Sequence, residues 1–134
     1  MIALPQLPEF ASADWYVDPR DHRCPHDAWL DAIEISGPSQ GKRNEQRQTA
    51  IVVRLLGAYH DGNIIFRYTG VRRYSLVGGA CAHGLGDWLD DELTINAEGR
   101  FEHRVRWSGS HHEAGAEWSI CAEKVSYEWI PKTG

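Results

Sequence analysis

The stretch that most constrains this chain is Thr49–Leu76, TAIVVRLLGAYHDGNIIFRYTGVRRYSL. Two arms rich in β-branched and aromatic residues flank Asp61-Gly62. That pair is favoured in two-residue type I′ hairpin turns, because both central positions need positive φ. Such a turn sets His60 opposite Asn63, Tyr59 opposite Ile64, Gly57 opposite Phe66, Leu55 opposite Tyr68 and Val53 opposite Gly70. Strand side chains alternate. One face then collects Ile51, Val53, Leu55, Tyr59, Ile64, Phe66 and Tyr68, and the other carries Arg54, Leu56, Arg67 and Thr69. A slip of one residue would scatter the apolar set, so turn and pattern support one another.

The remaining segments read as strands and turns. Residues 1–27 carry Pro5, Pro8, Pro19 and Pro25. Proline cannot donate to a ladder, so this is expected to be an extended lead-in, laid across the domain by Phe10, Trp15 and Tyr16. Residues 28–134 are expected to form a single β domain. Trp29 to Ile35 reads as its first strand, with Ile33 and Ile35 on one face. Gly37 to Arg47 is a polar, mobile loop. After the central hairpin, Gly70 breaks the second arm, and Val71 to Val77 is a further strand or a bent continuation. Gly78 to Gly86 is a glycine-rich loop that matches neither a P-loop nor a dinucleotide fingerprint.

Asp87 to Glu92 is predicted to make one helical turn. A second hairpin follows, Leu93–Ile95 with Phe101–Trp107, on a three-residue loop with Gly99 as the bulge residue. It pairs Ile95 with Phe101, Leu93 with His103, Thr94 with Glu102 and Glu92 with Arg104. Phe101, His103, Val105 and Trp107 point inward. A polar loop, 108–115, leads to Trp118, Ile120 and Ala122 on an inner face, with Glu117, Ser119, Cys121 and Glu123 outside. Val125, Tyr127 and Trp129 mark the last strand. No helical periodicity persists. The fold class is all-β: an antiparallel meander of about eight strands forming a sandwich or partly closed barrel.

With 134 residues, the chain suits one domain. Its formal charge of −5 argues against sequence-independent nucleic-acid binding, which needs a basic patch. Cys24, Cys81 and Cys121 are odd in number and widely spaced, which fits reduced thiols in the cytoplasm. The first ten residues lack the pattern of a secretory signal, and no apolar run is long enough to span a bilayer.

Two groups of residues invite a chemical reading. His22, Cys24 and His26 lie within five residues, and Cys81 with His83 would complete a tetrahedral metal site. The spacing is not a common structural-zinc spacing, and the plainer reading makes Cys24 a small buried hydrophobe. Asp87, Asp90, Asp91 and Glu92 surround Trp88 and Leu89, a pattern of aromatic anchor and charged rim that suits a protein interface. The competing reading tucks Trp88 and Leu89 into the core. His60-Asp61 sits at a hairpin tip with the two side chains on opposite faces, so no acid–base dyad is expected there. His111-His112-Glu113 reads as a solvated tip, and His103 as a hydrogen-bonded core histidine. No catalytic residue and no cofactor are expected.

The order His26-Asp27-Ala28-Trp29-Leu30, Ile33-x-Ile35, Asp61-Gly62-Asn63-Ile64, Phe66-x-Tyr68-x-Gly70-Val71 and Leu89-Asp90-Asp91-Glu92-Leu93 resembles small bacterial β-rich domains of unknown function. Some of these are similar to immunity proteins of polymorphic toxin systems. The resemblance spans residues 26 to 130 and implies a cytoplasmic, non-catalytic domain that binds a protein partner. A cognate toxin is the partner it suggests, and an acidic surface suits a basic nuclease. The alternatives are a β-barrel binding a small molecule or metal, and a structural homodimer paired through an exposed strand edge.

Overall fold

The computed structural model describes residues 5–78, 81, 84–109 and 115–133. The chain is all-β. Its strands are β1 (Trp29–Ser36), β2 (Ser39–Gln40), β3 (Gln46–Arg47), β4 (Thr49–Leu56), β5 (Gly62–Val77), β6 (Trp88–Ile95), β7 (Phe101–Trp107) and β8 (Glu117–Pro131). Six form one antiparallel sheet in the order β1-β4-β5-β8-β7-β6. Two three-strand meanders, β1-β4-β5 and β6-β7-β8, are thus joined along β5 and β8. The sheet curls but does not close into a barrel. Its two edges meet at one place, where Asp27 donates its amide to Trp88 O at 2.9 Å and Trp88 donates its own to Ala28 O at 2.9 Å.

The central hairpin forms with a different turn. β4 and β5 are connected by the five-residue loop Gly57–Asp61, and Leu55 pairs with Ile64 and Val53 with Phe66. The register is therefore displaced by four residues from that expected of an Asp61-Gly62 turn. Four is even, so every strand side chain keeps its face. Ile51, Val53, Leu55, Ile64, Phe66 and Tyr68 are all buried, whereas Tyr59 sits in the loop and is exposed.

The cause lies across the sheet. A Cβ on Gly62 would lie 2.5 Å from the Trp129 ring and 2.8 Å from Ile130 O, and one on Gly57 would lie 3.1 Å from the same ring. Both glycines make room for an indole, and the left-handed backbone (φ 59°) falls on His60. Asp61 takes a tertiary role, pairing with His22 and accepting the Lys132 amide at 2.8 Å.

Other differences follow from strand pairing. The two short strands expected on either side of Gly70 are one bent strand, β5, and those expected around Glu123 are one strand, β8. Gly70 (φ 63°) opposes Glu123, and there the buried set passes from Tyr68 and Val125 to Ala122, Ile120 and Trp118. The bend wraps the sheet around its core. Trp88 to Glu92 is strand, not a helical turn, because β7 offers it a partner: Trp88 pairs with Trp107 and Glu92 with Arg104. The Gly99 hairpin has the expected register and a φ of 80°. Cys121 is buried although it shares the outer face with Ser119; Asn96 Nδ2 lies 3.6 Å from its sulfur. Residues 37–47 are not wholly irregular, since they include the exposed pair β2–β3.

The lead-in turns twice, through 3-10 turns at Glu9–Ser12 and Asp14–Val17. Phe10 and Tyr16 enter the core that the sheet surrounds, and Phe10 packs on Phe66 at 5.9 Å and Tyr127 at 5.6 Å. Tyr127 donates its hydroxyl to Arg23 O, and Tyr59 to Pro19 O at 3.0 Å, which fastens the segment to β8 and to the hairpin loop.

Gly62→Ala is expected to destabilise the domain by about 1–3 kcal/mol, because its methyl meets both an indole and a carbonyl. Urea unfolding followed by tryptophan fluorescence measures it.

Candidate functional site

Along β6 the acidic segment divides between core and surface. A bulge between Trp88 and Asp90 turns Leu89 and Asp90 outward and returns Asp91 to the face that Trp88 and Leu93 share. Trp88 is 1% exposed and stacks on Phe66 with ring centres 5.3 Å apart. Trp88 thus follows the competing reading, which tucks it into the core, and is not an exposed anchor, whereas Leu89 is exposed. Asp91 is also turned from the surface. Asp87, Leu89, Asp90 and Glu92 remain available to solvent. Arg106 grips Asp90 and holds its carboxyl below the usual carboxylate range.

The exposed aromatic of this region is Trp29, 49% accessible, whose Nε1–H donates to Asp87 Oδ1 at 2.7 Å. Its ring meets that of His60 edge-on at 4.7 Å. Next along the loop, Tyr59 stacks on His22 at 4.1 Å. Two residues with left-handed backbone, Asp27 (φ 70°) and His60 (φ 59°), lie beside Trp29 in this patch. Non-glycine residues adopt that conformation rarely, and it is held here by surrounding contacts. Trp29, Asp87 and Leu89 thus bring an aromatic ring, a carboxylate and an exposed aliphatic side chain to the place where the two edges of the sheet meet.

Beneath this surface runs a buried polar chain. Tyr16 donates to Asp91 Oδ2 at 2.6 Å, His103 Nε2 lies 2.6 Å from the same oxygen, and Tyr68 Oη lies 2.6 Å from His103 Nδ1. His103 gives its Nε2–H to Asp91, and its Nδ1 shares a proton with the Tyr68 hydroxyl. His103 is fully buried, so each partner is required. Burial, reinforced by the Asp91 charge, pushes both the Tyr16 and Tyr68 phenols well above their ordinary range. Burial also raises Tyr127. The chain of bonds fastens the lead-in to β6, β7 and β5 through Asp91 Oδ2.

The metal candidates are drawn apart. His22 binds Asp61 and stacks on Tyr59, Cys24 points inward and donates to Tyr16 O at 3.0 Å, and His26 Nδ1 donates to Leu89 O at 2.9 Å. Burial raises the Cys24 thiol. Among the described residues no group of three or more His, Cys, Asp or Glu is placed to hold a metal ion. Cys81 is exposed, and His83 lies outside the described residues, as do His111, His112 and Glu113.

Two recesses adjoin the surface. A groove of about 890 Å³ runs along the outer face of β5, β8, β7 and β6, where Asp90 and Glu92, Arg104 and Arg106, and Glu117 form stripes of alternating charge. A cavity of about 210 Å³ lies between the lead-in and β6. No family model matches the chain, and no curated protein matches it.

The raised phenols make an alkaline prediction. A group whose folded pKa is raised stabilises the fold fully below its unfolded value, near 10, and loses that contribution as pH climbs toward the folded value. Tyr16, Tyr68 and Tyr127 should therefore ionise only as the domain unfolds above pH ~10. Absorbance at 295 nm and circular dichroism, recorded in one titration, should show these phenolates appearing with loss of structure.

Proposed function

We propose that this domain acts by binding a protein partner without catalysing a reaction. The role is immunity-like: the partner is a basic toxin domain whose working surface is covered. One observation carries the reading. Trp29 stands exposed at the sheet edge, yet its indole is fixed by Asp87 and His60. A large aromatic already ordered before association loses little side-chain entropy on binding, which is the character of an interface anchor. Asp87 beside it, with Asp90 and Glu92 farther along β6, favours a basic partner and speeds its approach, in keeping with a net charge of −5.

The reading places the domain in the cytoplasm. Cys24, Cys81 and Cys121 form no disulfide with one another, which suits a reducing compartment. No helix among the described residues is long and apolar enough to cross a membrane.

The product of the adjoining coding region is the partner to test. Mixed with this domain, it should give a stoichiometric complex on size exclusion. Trp29→Ala should weaken that complex by about 2 kcal/mol or more, the scale of an anchor residue. Asp90→Lys with Glu92→Lys should lower the association rate. Absence of a complex, or a complex indifferent to Trp29→Ala, would remove the reading. A dimer of this chain alone would favour self-pairing through the open edge of β1 instead.

A further inference from the structure

The cavity between the lead-in and β6 has a composition that selects one chemistry. Val17, Pro19, Pro25, Trp88 and Leu89 give it apolar walls, Tyr16, Cys24 and His26 add polar atoms, and Asp90 and Asp91 are its carboxylates. Val17 is 75% exposed and Leu89 40%, which marks the mouth, while the Asp91 side chain is 11% exposed. Its volume, about 210 Å³, is that of roughly seven liquid water molecules, the scale of one long side chain. The walls are fastened before anything enters: Cys24 Sγ–H bonds to Tyr16 O, and His26 to Leu89 O.

Asp91 is held by two bonds that both end on Oδ2, and Oδ1 accepts none among the described residues. Tyr16 and His103 both occupy Oδ2, so Oδ1 is the oxygen that an incoming donor can reach. The other carboxylate lining the cavity, Asp90, is already matched by Arg106. An acceptor oxygen in a largely enclosed site gains from a donor that enters beside it, most of all from a charged one.

We propose that this cavity is a socket for an arginine side chain of the protein partner, an inference that rests on the partner-binding reading above. The aliphatic stem would lie against the apolar walls, and the planar guanidinium would donate to the oriented carboxylate. Arginine suits the site better than lysine, since its charge is more weakly hydrated and its donors are arranged in a rigid fork. The socket opens beside Leu89, near the junction of the two edges where Asp87 and Trp29 lie, so both would engage one partner.

The probe is N-acetyl-L-arginine methylamide, titrated into the intact chain and read by amide NMR shifts at Val17, Leu89 and Asp91. Its control is the citrulline counterpart, equal in shape and uncharged. Saturable shifts with a dissociation constant on the order of 1 mM are expected for a ligand of this size. The citrulline analogue should bind about tenfold more weakly or worse. Asp91→Asn should abolish the shifts. Because that change also touches the buried chain, Val17→Trp provides a second variant, closing the mouth from an exposed position and leaving Asp91 and its partners in place. It should abolish them too. Shifts that do not saturate, that citrulline reproduces, or that survive Val17→Trp would overturn the socket. Full-strength partner binding by Val17→Trp would also overturn it and leave partner binding intact. Arginine binding with no protein partner found would overturn the partner as the source of the guanidinium.

Discussion

The pairing of β5 with β8 is the interaction on which everything else in this fold rests. Neither three-strand meander can bury its inner face alone. Joined along their longest strands, they enclose Ile64, Phe66, Tyr68, Ile120 and Ala122 in one core. The bend where Gly70 opposes Glu123 then turns a flat pairing into a curled sheet. Gly70 has two reasons to lack a side chain: its φ of 63° and the nearness of Glu123, whose carboxylate would lie 2.7 Å from a Cβ. The curl brings β6 round to the start of β1, where two backbone hydrogen bonds join the edges. It also leaves a gap farther along, and the lead-in fills it with Phe10 and Tyr16.

That filling explains why a charged chain of bonds lies inside a small domain. The lead-in has no ladder to hold it, since its prolines and turns offer few backbone pairs. Tyr16 instead reaches Asp91, and Asp91 reaches His103. Oriented polar bonds of this kind specify one docking of a segment where apolar packing alone would permit several. The same arrangement leaves part of a carboxylate facing a cavity. A structural device and a recognition element thus share one side chain.

Much of the fold was legible in the sequence, and the failures have definite causes. The inward set of the central hairpin could be read because alternation depends on parity, and a displacement of four residues preserves it. The turn itself was misread because Gly62 is required by the indole of Trp129, more than sixty residues away, and local turn rules do not register that. The Gly99 hairpin was read correctly because its register is set locally. Of the candidate surface, Trp88 lies in the core, and Trp29, which no sequence signal singled out, is exposed. Acidic neighbours made Trp88 look like a surface residue, whereas its partner Trp107 lies on a strand already read as facing inward. The same alternation, carried from Leu93 back to Asp91, would have turned Asp91 inward; its charge argued the other way. Nothing local marks Tyr16 or Tyr68 as its companions, for they come from distant segments that only the curled sheet brings together.

The strand order also bears on how the chain comes to be folded. β8 lies between β5 and β7 in space but follows both in synthesis. A nascent chain therefore carries two unfinished sheets, each with a bare edge of backbone amides and a greasy side without cover, until the strand that joins them emerges. Pairing partners so far apart along the chain close slowly. For that interval the edge of β5 that will meet β8 stays unpaired.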